Sequence, residues 1–377
     1  MMPELVLVTG GAGFVGSFLV DELIARGYTV RVFDCLEAQV HGTEGRQPPY
    51  LNPDADFIRG DVRDREALKK AVRGVDVIFH LAAKVGVGQS MYEISEYAEV
   101  NTLGGANLLD ILAKENHRVR KVIVASSMSL YGEGAYSCQR CGDVSPRLRS
   151  SAQLKNRDWE VRCPTCELPL LPVPTPEQKV LSPSSIYAIT KRDHEEMFLS
   201  AGLAYDIPTV ALRYFNIYGP RQALSNPYTG VAAIFCGRLL NHKAPVIFED
   251  GLQSRDFIHV LDIVQANLLA MEKDEADFEV FNIGTGWQTT ILEVAEVLMK
   301  KLAAGLNVEP KIEHAFRQGD IRHCFADITK IQKHLGFVPR IQFADGVDDL
   351  VGWVREQQAG DTFDQAHVQL TQRGLIM

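Results

Sequence analysis

The feature that most restricts how this chain can fold is the run Thr9–Ser17, TGGAGFVGS, directly after the apolar segment Leu5–Thr9. Gly10, Gly13 and Gly16, with Phe14 and Val15 between the last two, open an amphipathic stretch, Gly13–Arg26. A strand that enters a helix through three glycines permits a tight turn, lets the backbone approach a diphosphate, and brings helix and strand close together. The helix start then offers N–H groups and a partial positive charge to that anion. The expected class is α/β, a Rossmann-type doubly wound parallel sheet.

The following segments keep that rhythm. Tyr28–Asp34, Asp56–Arg59, Val75–His80 and Val119–Ser126 are short and rich in Val, Ile and Phe, as strands covered on both faces must be. Helical periodicity separates them, for example over Ala98–Lys114. Asp34 ends the second strand, where a carboxylate accepts hydrogen bonds from an adenine ribose. Its charge repels a 2′-phosphate and the adjoining Cys35 supplies no cation, so NAD is expected over NADP. Asp61 and Val62 are placed for the adenine edge, and the small apolar run Leu81, Ala82, Ala83 leaves room for the cofactor. Further strands are expected over Thr209–Arg213 and near Val280–Ile283. Beyond Arg213 the pattern is mixed, with one clear helix: Thr290 and Glu293 have capping-box spacing, and Ile291, Val294, Ala295, Leu298 and Leu302 share a face.

Tyr187 and Lys191 stand four apart in SSIYAITKRDHEE, hence on one helix face, and Ser127 follows the fifth strand. A phenol with a pKa near ~10 is a poor base at neutral pH. A neighbouring ammonium and a cationic nicotinamide ring favour its phenolate. Reaching pH 7 takes roughly 4 kcal/mol of differential stabilisation. Ser127 can hydrogen-bond the reacting oxygen and hold it in line.

The acidic balance, net charge −9, argues against a nucleic-acid partner. No run approaches the ~20 apolar residues of a membrane span. MMPELVLVTGG lacks the basic flank of a secretory signal, so a cytoplasmic setting with reduced cysteines is expected.

Between 132 and 182, four cysteines and many prolines interrupt the α/β pattern. Cys138-x2-Cys141 and Cys163-x2-Cys166, separated by twenty-one residues, have the spacing of a tetrahedral four-thiolate zinc site. With no open position such a zinc is structural; two disulfides or a degenerate ribbon are the alternatives. Cys35, Cys236 and Cys324 are expected to be packed thiols. The ribbon also sustains a different class of function, a non-catalytic NAD-binding sensor that uses it to grip a partner.

In order along the chain, TGGAGFVGS, GDVRD, HLAA, VNTLGGANLL, SSMSLYG, YAITK, RYFNIYGPRQ, RDFIHVLDI, FNIGTG and RQGDIRHCFAD resemble the extended short-chain dehydrogenase/reductase family, above all its nucleotide-sugar epimerases. The resemblance implies an NAD-binding Rossmann domain at 1–213 carrying the ribbon-like insertion 132–182. It implies a smaller mixed nucleotide-sugar-binding domain at 214–350, with strands near 255–262 and 280–283 returning to the Rossmann sheet, and a tail at 351–377. By the same resemblance Asn101 and Phe215 join Tyr187 and Lys191 at the cofactor. Ser129, Asn216, Arg255, Arg317 and Asp320 join Ser127 and Tyr187 at the substrate, the arginines on its diphosphate. A homodimer through the helices that contain Ala98–Lys114 and Tyr187 is also implied.

Dehydratases of this family carry an Asp-Glu pair just after the active-site Ser or Thr, where this chain has Met128 and Ser129. Decarboxylating relatives need an acid in the same loop, also missing. What the resemblance leaves is 4-epimerisation: Tyr187 takes the 4-hydroxyl proton as the C4 hydride passes to NAD, and the 4-keto sugar turns before it is reduced again. The stretch VGVGQSMYEI and the cysteine insertion are similar to bacterial dTDP-L-rhamnose 4-epimerases; UDP-glucose/UDP-galactose epimerisation is the alternative.

Overall fold

Seven short strands, most of them Val- and Ile-rich at their centres, form the middle of the structure: β1 Leu5–Thr9, β2 Thr29–Asp34, β3 Asp56–Arg59, β4 Val77–His80, β5 Lys121–Ser127, β6 Thr209–Tyr214 and β7 Val280–Ile283. The structure, a computed structural model, describes residues 4–303, 308–357 and 360–377. The strands are parallel, in the order β3-β2-β1-β4-β5-β6-β7. Successive side chains point to opposite faces, which accounts for the apolar centres. Val6, Val8, Val77, Phe79 and Ile123 enter a core shared with α1, Phe14–Ala25. Leu7, Ile78, Val122 and Val124 enter another, with α2, Arg65–Val72, and α3, Gly104–Lys114. Each such buried side chain contributes roughly 1.5–3 kcal/mol. The strand order reverses at β1 and β4, where their C-terminal ends open a crevice.

The helix expected from Ala98 begins with six π-helical residues, Ala98–Leu103, before α3. α4, Ile186–Tyr205, lies against β5. A third core of Phe235, Leu239, Val294, Leu298, Val347 and Leu350 joins α5, Val231–Leu240, to α7, Ile291–Leu302, and α8, Phe343–Arg355. The capping box of Thr290 and Glu293 is formed at the start of α7.

Three expectations need correction. The segment 255–262 does not return to the large sheet: Phe257–His259 pairs with Asn216–Tyr218 in a sheet of its own. The His259 side chain accepts the Leu261 N–H and turns the chain into α6, Val260–Glu272. The place beside β6 is filled by β7. The boundary drawn at 350 falls inside α8, and the supposed tail contains α9, Phe363–Gln372, whose end Met377 pairs with Phe316. Among the lone cysteines Cys236 and Cys324 are packed, but Cys35 is exposed.

The insertion forms a three-stranded antiparallel sheet, with Ala135–Cys138 between Gly142–Val144 and Leu171–Val173. Frequent prolines keep these strands short.

Candidate active site

A cavity of about 630 Å³ follows the crevice from the glycine turn into the C-terminal half. At its dinucleotide end Gly10 has φ +70°, and a Cβ there would lie 2.8 Å from the Ala82 nitrogen. A Cβ on Gly16 would collide with the Gly10 carbonyl. No side chain caps α1, whose N-cap is Gly13, so its first N–H groups remain available to an anion. Phe14, Val15, Leu81, Ala82 and Ala83 line the same space.

Asp34 is held rigidly: its carboxylate accepts the Ala12 N–H at 3.0 Å and the Leu36 N–H at 2.9 Å. His41 stands 3.9 Å away, but burial pushes its pKa below the ordinary value against the attraction of Asp34, so it supplies no cation at pH 7. Asp61 is gripped by the Arg63 guanidinium; burial works to raise its pKa, yet the bonds from Arg63 prevail and lower it. Val62 is buried at the cavity edge. These residues fit a dinucleotide with a free adenosine 2′-hydroxyl. Asn101 does not line the cavity. It is buried behind the wall, bonded to Lys84 N and O at 2.7 and 3.0 Å and to Thr190 Oγ1 at 3.0 Å, and ties the β4 loop to α4.

Ser185 caps α4 through the Ala188 N–H, which fixes the start of the helix carrying Tyr187 and Lys191. Burial raises the Tyr187 phenol above its ordinary 10, and the hydrogen bond with Ser127 counteracts it. Lys191 donates to the Ala125 carbonyl at 2.9 Å, and burial brings its pKa down to about 7. The Ser127 hydroxyl accepts from Ser129 N at 3.2 Å and Ser129 Oγ at 2.9 Å, so its own proton is free to donate to a ligand. Behind this group lies a buried network that sequence reasoning missed. Glu195 accepts Ser126 Oγ at 2.6 Å and both ends of the Arg213 fork, Arg213 donates to Tyr131, and Tyr131 to Asn282. Glu195 stands one turn after Lys191 on the same helix face, but that spacing alone does not distinguish it from a surface acid.

Toward the C-terminal half, Phe215, Asn216, Arg255, Arg317 and Asp320 all line the cavity. Asn216 Oδ1 is buried with no protein partner among the described residues. Arg255 spends both Nη groups on the carbonyls of Ser254, Ile321 and Arg322, which secures two loops to each other. Arg317 bonds Asp320 at 2.8 Å through Nε and lies over the Phe248 ring at 5.0 Å. The residues beside Arg317 were not foreseen: Phe248 and Ile376 touch it, and Tyr228, His367 and Leu370 line the same cavity. The His367 ring stacks on Phe248.

In the insertion the four sulfurs of Cys138, Cys141, Cys163 and Cys166 lie within 4.8 Å of one another, unlinked by disulfides. The backbone N–H of Thr165 lowers the Cys163 thiol to about 6 against burial, while Cys166 and its neighbours push Cys141 up to about 12. Four thiols so close cannot ionise together without a cation between them, and thiolates about 2.3 Å from one ion would have this mutual spacing. The set fits a tetrahedral zinc.

A glycine turn on a parallel sheet, a ribose-side carboxylate, and Ser, Tyr and Lys at the end of β5 and on α4 define an NAD-dependent enzyme of the extended short-chain dehydrogenase/reductase type. The profile of the NAD dependent epimerase/dehydratase family matches residues 6–149 and 168–284, and the chain belongs to that family. It is 33% identical to dTDP-L-rhamnose 4-epimerase of Burkholderia thailandensis, over 93% of this chain and 95% of that one. The structure resembles UDP-glucose 4-epimerase of Thermotoga maritima solved with UDP-glucose, with a TM-score of 0.75 and 33% identity over 93% of this chain and 99% of that one. It also resembles the Thermus thermophilus UDP-glucose 4-epimerase complex with NAD, with a TM-score of 0.73 and 29% identity over 94% and all of that chain.

Proposed function

We propose that this chain is a nucleotide-sugar 4-epimerase with tightly held NAD and a structural zinc. The observation that carries the reading is the catalytic end of the cavity: Ser127, Tyr187 and Lys191 are together, and among the described residues no carboxylate lines the cavity beside them, Glu195 being buried behind on Ser126 and Arg213. The acids that line the cavity are Asp34, Glu37, Asp61 and Asp320, all outside the loop after β5. Elimination of water needs an acid or base at that loop, and proton removal from a hydroxyl does not.

Gly10, Gly13, Gly16 and Asp34 would hold NAD, which supplies reversible hydride acceptance at C4 when bound. Tyr187 removes the 4-hydroxyl proton, Ser127 donates a hydrogen bond to the same oxygen, and Lys191 holds the local charge. Asn216 and Arg317 anchor the diphosphate while the 4-keto sugar turns about it, and Tyr187 returns the proton on the second pass. Arg255 acts here chiefly by fixing the loops at Ser254 and Ile321.

The preferred substrate is dTDP-L-rhamnose, supported by the Burkholderia relative; UDP-glucose is the second reading, favoured by the Thermotoga structure at equal identity. A gripping ribbon is not favoured, because Arg149 is buried on Glu249 and Arg162 pairs with Asp158. Self-association is supported by exposed Ile94, Leu103 and Ile189 on and beside α3 and α4. No helix among the described residues is long and apolar enough to cross a membrane, and free cysteines suit a cytoplasmic setting.

Incubation with dTDP-, UDP- and GDP-hexoses tests the activity. Epimerisation leaves the mass unchanged and yields a new sugar by NMR. Loss of water from the sugar, or turnover of none, would reject it.

A further inference from the structure

The segment 316–322 carries Arg317 and Asp320, and it lies between two surfaces. Arg317, Gly319, Asp320 and Ile321 line the cavity. Phe316, Gln318 and Arg322, together with the Asp320 carbonyl, meet the stretch between the two cysteine pairs. Phe316 packs with Leu154 and Trp159. Ser151 donates to the Gln318 side chain at 3.3 Å, and Arg149 to the Asp320 carbonyl at 3.3 Å. Arg322, wholly buried, donates to Glu160 at 2.6 Å, to Asp250 at 2.6 Å and to Glu249 at 3.1 Å. Arg149 completes the network on Glu249 at 2.7 and 2.9 Å.

Two buried guanidiniums shared among Glu160, Glu249 and Asp250 hold only as a set, since removal of one partner leaves a buried charge uncompensated. Within 142–162, Leu154 and Trp159 pack with Phe316, Val144 and Val161 pack near the cysteines against Tyr136 and Leu170, and the ends converge on the four sulfurs. The family profile passes over residues 150–167 and matches on either side. The contacts that Ser151, Leu154, Trp159 and Glu160 make with 316–322 therefore come from residues outside the matched segments, while Arg149 stands at their edge.

We infer that the cysteine-bearing insertion is a clamp on the substrate loop, with Arg149, Glu160 and Arg322 as positioning residues, so that metal at the four thiolates sets affinity for the nucleotide diphosphate and not for NAD. The inference rests on the zinc and substrate-site readings above. A metal that closes the ends of 142–162 holds Arg149 and Glu160 in place, and these hold the backbone on which Arg317 is carried.

The test measures dTDP and UDP binding by calorimetry, with zinc and NAD contents, on the holoprotein as purified, after chelation, and after zinc is returned. Chelation should weaken binding of the preferred nucleotide about ten- to a hundred-fold, the usual effect of losing a positioning group. NAD content should stay constant, and zinc should restore affinity. Arg149→Met should weaken nucleotide binding while zinc and NAD are retained, raising KM more than it lowers kcat, and Arg149→Lys should recover part of the loss. Should Arg149→Met lose NAD and fail to fold, Glu160→Gln at the network's rim should still weaken nucleotide binding several-fold. Unchanged nucleotide affinity after chelation overturns the clamp while leaving the substrate site intact. A zinc-loaded protein that binds neither nucleotide overturns the substrate reading and the clamp with it. A protein that contains no zinc and takes up none overturns both the metal reading and the clamp.

Discussion

Burial favours the neutral form of both Tyr187 and Lys191, so it moves their pKa values in opposite directions. The phenol is pushed above 10 and the amine down to about 7, with Ser127 the one group easing the phenol's ionisation. The sequence suggests that Lys191 and a cationic nicotinamide ring together favour the Tyr187 phenolate; the structure places the Lys191 Nζ on the Ala125 carbonyl. Tyr187→Phe should reduce turnover by about 10²–10⁴-fold. NAD content should be nearly unchanged, since one hydroxyl is lost; a variant that keeps more than about a tenth of the rate has another base. Asp34→Ala releases two backbone N–H groups and removes the charge that excludes a 2′-phosphate. Extracts of that variant should contain less NAD(H) and some NADP(H), whereas unaltered NAD content removes Asp34 from the ribose. Both residues were legible because their partners are near in sequence: a turn, a strand end, a spacing of four. Arg213 and Glu195, or Arg149 and Glu249, were not, since each pair meets across the fold and neither arginine has a local pattern.

Whole elements were legible in proportion to the apolar surface they bury. All but the edge strand β3 are buried along most of their length, and their Val- and Ile-rich centres gave them away to within a residue or two. The two-residue pairings of the C-terminal half, Ser254–Arg255 with Thr289–Thr290 and His323–Cys324, carry no such signal. α9 was missed because its apolar face is short. Ala366 and Leu370 are buried, Phe363 packs beside them, Val368 is exposed and the rest is polar, while its partners Phe248 and Ile376 lie outside it. Yet this helix lines the cavity in the C-terminal half, where the substrate is proposed to bind. Deletion of residues 358–377 should raise substrate KM about ten- to a hundred-fold, the range for losing one well-fitted apolar contact, roughly 1–3 kcal/mol. NAD should remain, because its contacts lie at β1, β2 and β4. An unchanged KM would place α9 outside substrate recognition.

At the scale of the whole molecule, the parallel sheet and the substrate half are joined by charged groups that respond to acid in opposite directions. The Glu160 carboxyl is held down to about 2, first by His323 and also by Arg322, against the pull of burial. Below its ordinary 4.5 the unfolded chain takes up a proton that the folded chain refuses. The stability Glu160 contributes is therefore present above 4.5 and lost as pH falls toward 2. Asp256 behaves otherwise. Fully buried and accepting from Thr285, Gly286 and Ala326, it is raised above its ordinary value by burial despite those bonds, so protonation relieves a cost. Acid should consequently loosen the insertion and the 316–322 loop before the loops around Asp256 and before the sheet. Hydrogen exchange between pH 7 and pH 3 should show protection lost first at 149–160 and 316–322, with β1, β4 and β5 still protected. Zinc release also follows acid, because thiolates are protonated, and Glu160→Gln separates the two causes. That variant should exchange faster at 316–322 already at pH 7, with zinc still bound. If its protection there equals that of the native chain, Glu160 does not hold the substrate loop, and the acid response belongs to the metal alone.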